Sequence, residues 1–415
     1  MSDQPAPSQE TVQHGAMEAS TPDFDLDRMR LYRLERVRAA LKERDYAAAV
    51  LFDPLNTRYA TDSTNMQLWC THNEVRYAFV PAEGPVVLFE YGRVGDLLTA
   101  GMPTVDEIRP ARSWFYFGSG PRHEEHAKLW AQEIGDLVNS HGGGNKRIAL
   151  DRVNFEGIRE LMEMGYSIHD GFEMMENARL IKSPDELLAM KRAITACEAG
   201  MTSMYEALRP GITENQLWAK LHETNIAHGG EWIETRLLSS GPRTNPWFRE
   251  CSHRVIEDGD MVSFDTDLIG PYGYCADISR AWVAGDGKPS DEQRTIYKLA
   301  AEQIDHNMAL LKAGVSYREV SEKAWAIPEL YQAGRYGSLI HGIGLCDEYP
   351  SIKHHVDFDA KGYDGIFQEN MTVCVESFIG AEGGREGVKL EEQVLITRDG
   401  IEQLSSYPLD EDLLA

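Results

Sequence analysis

The sequence is short of positive charge, of closely spaced cysteines and of long apolar runs, and each shortage excludes something. Forty-one lysines and arginines face 67 aspartates and glutamates, a formal net charge of -26. So acidic a chain repels nucleic acid and anionic membranes, so neither is expected as a partner. Six cysteines, Cys70, Cys197, Cys251, Cys275, Cys346 and Cys374, make no C-x-x-C pair. Their wide, irregular spacing reads as free or buried thiols in a reducing compartment. No uncharged apolar stretch is long enough to span a bilayer. The first 25 residues have neither the basic start nor the apolar stretch of a signal peptide. Their Pro, Ser, Gln and acidic content suggests a flexible arm. The expected location is cytoplasmic.

What remains is an ordinary globular chain of 415 residues, 42% hydrophobic, enough for one large domain or two smaller ones. Leu26 to about Leu41 has helical periodicity. Strands are expected at 47–52, 85–89 and 147–151, with a turn at Asp53-Pro54-Leu55-Asn56. Alternating strands and helices imply a small α/β domain over 26–178. The segment Arg179–Glu186 reads as a junction. Ser183 caps a helix, Pro184 takes its first position and Glu186 closes a capping box. That helix should end near Leu208, and Thr213-x-x-Gln216 opens another. From 179 to 415 the chain reads as a second, larger α+β domain, with helices between about 290 and 330 and short strands from 338.

Chemistry concentrates in that second domain. MVSFDTDLI (261–269) and YCADISRAWV (274–283) flank Gly270-Pro271-Tyr272-Gly273, the pattern of a β-hairpin. Side chains alternate along a strand, so Asp265 and Asp267 share a face. Folding about Pro271 should set Asp277 opposite Asp265. Three carboxylates in an apolar setting repel one another and call for a cation. Oxygen donors of this kind suit hard or borderline divalent metals. His341, Glu376 and Glu391 each interrupt an apolar, strand-like run downstream and complete a candidate ligand set.

In this order, the set resembles the creatinase/aminopeptidase P and methionine aminopeptidase family. The residues carrying the resemblance are Gly259–Asp265, Asp277-Ile278-Ser279-Arg280, His341-Gly342-Ile343-Gly344-Leu345, Glu376-Ser377 and Glu391–Thr397. Asn56-Thr57-Arg58-Tyr59 and the Arg-x-x-Lys-Ser junction match as well. The resemblance implies a pita-bread catalytic domain behind a smaller creatinase-like domain. It also implies a homodimer and two divalent transition ions, iron first, with manganese, zinc, cobalt or nickel as alternatives.

The sequence departs from the family's peptidases at telling places. Trp247 stands where they carry one substrate-binding histidine, and Glu348 where they carry another. Ser377 replaces a proline, and Asp265 and Asp277 lie twelve residues apart instead of the usual eleven. These replacements resemble the dimethylsulfoniopropionate (DMSP) lyases of the superfamily, which eliminate acrylate and dimethyl sulfide from a sulfonium carboxylate. Elimination needs a base near the α-carbon, and Asp347 matches the family's base, with a raised pKa expected beside the metal site and Cys346. It also needs aromatic faces for the sulfonium. Trp247 is the first candidate, and Tyr336 resembles a pocket tyrosine that binds sulfonium or assists proton movement. The aromatics Trp69, Trp114, Phe115, Tyr116 and Phe117 are further candidates for closing the pocket from a partner subunit. Two other readings stand beside this one: an Xaa-Pro dipeptidase or aminopeptidase, for which His253 is the compensating histidine to examine, and a non-catalytic pita-bread binding protein.

Overall fold

A computed structural model describes residues 23–92 and 94–415. Most of the expected N-terminal arm lies outside the described residues. Its last residues are fixed: Phe24 is buried edge-on against Tyr272, and Asp25 caps the first helix, Leu26–Glu43.

The N-terminal half builds one six-stranded sheet. Its strands are β1 (Ala48–Leu51), β2 (Tyr77–Pro81), β3 (Val87–Glu90), β4 (Glu107–Pro110), β5 (Arg147–Leu150) and β6 (Ser167–Asp170), in the order β4-β3-β2-β1-β5-β6. β1 is buried at every position, as a central strand flanked on both faces must be. The segment read as a turn at 53–56 opens a helix instead, Pro54–Thr61. Asp53 accepts from the backbone N–H groups of Leu55 and Asn56, and Pro54 needs no N–H at the first helical position.

The junction forms as the capping pattern requires. Ser183 and Glu186 make a reciprocal box before the helix Pro184–Ala207, and Thr213 and Gln216 do the same before Glu214–Ala227. Beyond them lie two three-stranded sheets. One is β7 (Trp232–Ile233) with β10 and β11, and the other β8 (Leu238–Ser240) with β9 and β12. Here β9 is Met261–Phe264, β10 Leu268–Ile269, β11 Cys275–Ala276 and β12 Arg280–Val283. The expected hairpin is therefore split midway on both arms, and the breaks hold the aspartates.

A five-stranded antiparallel sheet closes the fold, ordered β14-β13-β15-β16-β17. Its strands are β13 (Ile340–Ile343), β14 (Asp347–Ile352), β15 (Thr372–Ile379), β16 (Val388–Ile396) and β17 (Ile401–Gln403). β15 and β16 are eight and nine residues long and buried throughout, longer than the short strands expected. The helix Asp291–Ala309 packs across them through Ile296, Ala300 and Ile304.

Candidate metal centre

The site begins with a pairing that a sheet would normally avoid. The β15–β16 register sets Glu376 directly opposite Glu391, both fully buried. Like charges placed so destabilise a sheet unless something positive lies between them. On the other side of β15, β13 pairs His341 with Cys374. The imidazole Nε2 lies 3.0 Å from Glu376, 3.4 Å from Glu391 and 3.7 Å from Asp277.

The aspartates enter from the split hairpin. Continuing its register from either side sets Asp267 against Asp277 and Asp265 against Ser279, not Asp265 against Asp277. The loop is centred on Tyr272, held at φ +63°, rather than on Pro271, which slides the returning strand. Asp267, at φ +36°, breaks the alternation, and its N–H donates to Asp277 Oδ1 at 3.2 Å. Oxygens of Asp265, Asp267 and Asp277 still lie within 4.8 Å of one another. Donor atoms of Asp277, His341, Cys374 and Glu391 form a second such group, joined to the first through Asp277.

A cation that the sequence reading missed lies among them. Lys389, fully buried, places Nζ 3.1 Å from Asp265, 2.5 Å from Glu376 and 2.9 Å from Glu391. It also donates to Ser279 Oγ at 2.7 Å, and that oxygen lies 2.6 Å from Asp265 and 2.9 Å from Glu391, with one hydrogen to share between them. The signal was available: Lys389 is two residues before Glu391 on one strand, hence on its face. Burial raises Asp265 to about 7, with Glu391 and Glu376 pushing up and Lys389 pulling down. Burial and neighbouring carboxylates hold Asp267 and Asp277 well above the usual range. Glu391 is desolvated too, yet Lys389 and His341 keep it well below.

One ammonium cannot neutralise five buried carboxylates. Glu376 Oε2 meets only the Lys389 ammonium and Glu391 Oε1 only the His341 imidazole at 3.4 Å, and the donor set is carboxylate oxygen, one imidazole and the Cys374 thiol. These residues fit divalent ions, in two adjoining positions that share Asp277.

Asp347, first residue of β14, stands at the mouth. Its Oδ1 is 3.7 Å from His341 Nδ1, and its side chain is 53% exposed. Desolvation raises its pKa, with Glu391 adding and His341 and Lys389 opposing. Tyr336 sets its ring 4.8 Å from Lys389 Nζ. Trp247 is buried, its ring 6.0 Å from Phe378 on the strand that bears Glu376. Glu348 points away from this mouth, into an ion pair with Arg179 at 2.8 Å and Lys182 at 2.9 Å. His253 is exposed beside Asn215. Of the aromatic run, Trp114 is small-domain core, 4.4 Å from Trp130. Tyr116 and Phe117 are exposed, and Trp69 partly so.

Fold and centre together define a two-domain metalloenzyme of the pita-bread type. Residues 189–398 match metallopeptidase family M24, and residues 33–181 match the creatinase/prolidase N-terminal domain. The chain belongs to metallopeptidase family M24. Among its relatives is the dimethylsulfoniopropionate lyase DddP of Roseovarius nubinhibens, 46% identical over 94% of this chain and 88% of the relative. The enzyme of the same name from Roseobacter denitrificans is 45% identical over the same shares. The Xaa-Pro dipeptidase of Bacillus anthracis superposes with a TM-score of 0.73 over 92% of this chain and 98% of its own, at 21% identity. The Pyrococcus horikoshii prolidase gives 0.71 over 91% and 99%, at 18% identity. At such identities these two structures speak to fold alone.

Proposed function

We propose that the protein is a metal-dependent DMSP lyase that cleaves its substrate by β-elimination to acrylate and dimethyl sulfide. The observation that carries this is the 46% identity to a named DMSP lyase across nearly the whole chain. The site chemistry supports it. Asp265, Asp267, Asp277, His341, Glu376 and Glu391 would hold two divalent transition ions, with iron the first choice. When bound, the ions supply positive field for the substrate carboxylate and for the charge that develops beside it.

The chain's own residues do the rest. Asp347 takes the proton from the carbon next to the carboxylate. The electron pair left behind forms the carbon–carbon double bond as the carbon–sulfur bond breaks, and dimethyl sulfide leaves with the bonding pair. Half-exposed at the mouth, Asp347 can pass the proton to solvent. Tyr336 and Trp247 offer aromatic faces to the sulfonium. A peptidase would need imidazoles where Trp247 and Glu348 stand, and the buried ion pairs of Glu348 bar it from substrate. The enzyme works as a homodimer in the cytoplasm on this reading.

The test is incubation of metal-loaded protein with DMSP, following dimethyl sulfide and acrylate. Equal release of both is expected. Hydrolysis of Xaa-Pro dipeptides without either product would replace the lyase with a peptidase. Inertness towards both substrates would favour a binding protein.

A further inference from the structure

The strand that bears Glu376 carries a second donor on the same face. Cys374 precedes Glu376 by two residues on β15, and side chains two apart on a strand point the same way. Across one edge of β15 it pairs with His341, and across the other with Gln393, two residues after Glu391 on β16. It is fully buried, and its thiol donates to the main-chain carbonyl of Asp277 at 3.7 Å. It packs with Ile269, Cys275 and Ile343, so its burial is in part that of a small apolar side chain. Packing alone does not account for the place of its sulfur. That atom is one of four possible ligands lying within 4.8 Å of one another, with an oxygen each from Asp277 and Glu391 and a nitrogen from His341. The other such group, Asp265, Asp267 and Asp277, offers oxygen alone.

We propose that Cys374 is a metal ligand, giving the position it shares with Asp277, His341 and Glu391 a sulfur donor that the all-oxygen position lacks. The proposal rests on the reading of this cluster as a divalent metal centre and on nothing about the substrate. The metal–sulfur bond forms on a lone pair of Sγ, and the S–H proton is released as the ion enters. Thiolate and imidazole favour borderline ions such as zinc and iron, whereas carboxylates alone suit manganese or magnesium. The two positions are therefore unequal, and the centre sorts two kinds of ion between them.

The experiment loads wild type, Cys374→Ser, Cys374→Ala and a control, Cys346→Ser, with cobalt(II) or with zinc. Cys346 adjoins Asp347, and its thiol donates to the Asp347 carbonyl instead. Cobalt bound through sulfur has a near-ultraviolet thiolate-to-metal charge-transfer band. That band should appear in wild type and Cys346→Ser and vanish in both Cys374 variants, which should keep the weaker visible bands of bound cobalt. Zinc X-ray absorption on wild type, which needs no variant to fold, should find sulfur at about 2.3 Å from the ion. The Kd for zinc should rise at least about tenfold in Cys374→Ala, since losing even an outer partner of a ligand costs that much. The Kd for manganese should rise by a smaller factor. Bound ions with only nitrogen and oxygen neighbours, or a charge-transfer band that survives in Cys374→Ser, would overturn the assignment of Cys374 while leaving the metal centre intact. Wild type that takes up no divalent ion would refute the centre itself.

Discussion

Replacing Glu348 by glutamine removes one negative charge from between two buried positive ones, and the structure sets the size of the effect. Arg179 and Lys182 are both 3% exposed, and Glu348 is 1%. Glu348 Oε1 also accepts from Leu345 N–H at 3.0 Å, so it ties the junction to the chain just before Asp347. Taking one partner from a buried ion pair costs about 3–5 kcal/mol, because a desolvated charge stays behind. For a domain of this size each kcal/mol is worth about 2–4 °C, so the unfolding midpoint should fall by about 6–20 °C at pH 7. The pH dependence gives the check. Burial pushes the Glu348 pKa up, but Lys182 and Arg179 more than reverse this and hold it below its ordinary value. A depressed carboxylate contributes stability that is fully present above its unfolded pKa, about 4.3, and lost as pH falls through the folded pKa. Glutamine does not titrate there. The gap in midpoint between wild type and Glu348→Gln should therefore be widest near neutrality and narrow below about pH 4. Calorimetric melts of the two proteins from pH 7 down to pH 3.5 measure it. A gap that is absent at pH 7, or constant across that range, would falsify the ion-pair account.

Other substitutions separate the roles at the centre. Asp347→Asn should lower kcat at least about a hundredfold, as loss of a general base does, with bound metal near wild type by elemental analysis; substantial residual turnover would remove Asp347 as the base. Trp247→Ala should raise the KM for DMSP, and unchanged steady-state kinetics would remove it as an aromatic face for the sulfonium. Lys389→Met leaves the five carboxylates without their one ammonium, so the metal-free protein should melt earlier and recover on adding divalent ions. Equal melting of both metal-free proteins would show that Lys389 carries no such load. Chelation should lower the melting temperature of wild type, since ions that bind the folded chain alone stabilise it by mass action.

Much of this was legible beforehand because the signals were local. Capping boxes at Ser183 and Thr213 involve residues three apart, and the helices form there. The carboxylates and His341 could be picked out because charge inside apolar runs is costly and so stands out. Register was harder. Whether Asp277 faces Asp265 or Asp267 turns on Tyr272 adopting a positive φ, and a tyrosine gives no warning of that. Asp53 looked like a turn because Asx-Pro opens turns and helices alike. Lys389 was readable from its spacing to Glu391, but a lysine on a strand suggests solvent until the strand proves to be central.

On the lyase reading, a buried cluster of five carboxylates and one imidazole, loaded with divalent ions, drives elimination from a sulfonium acid. Headspace measurement of dimethyl sulfide over DMSP, with metal-loaded, chelated and reloaded protein, is the decisive experiment. Release by the loaded enzyme, silence after chelation and recovery on reloading are expected. Release at the same rate from thoroughly chelated protein, or none from protein shown to hold its metal, would contradict that reading.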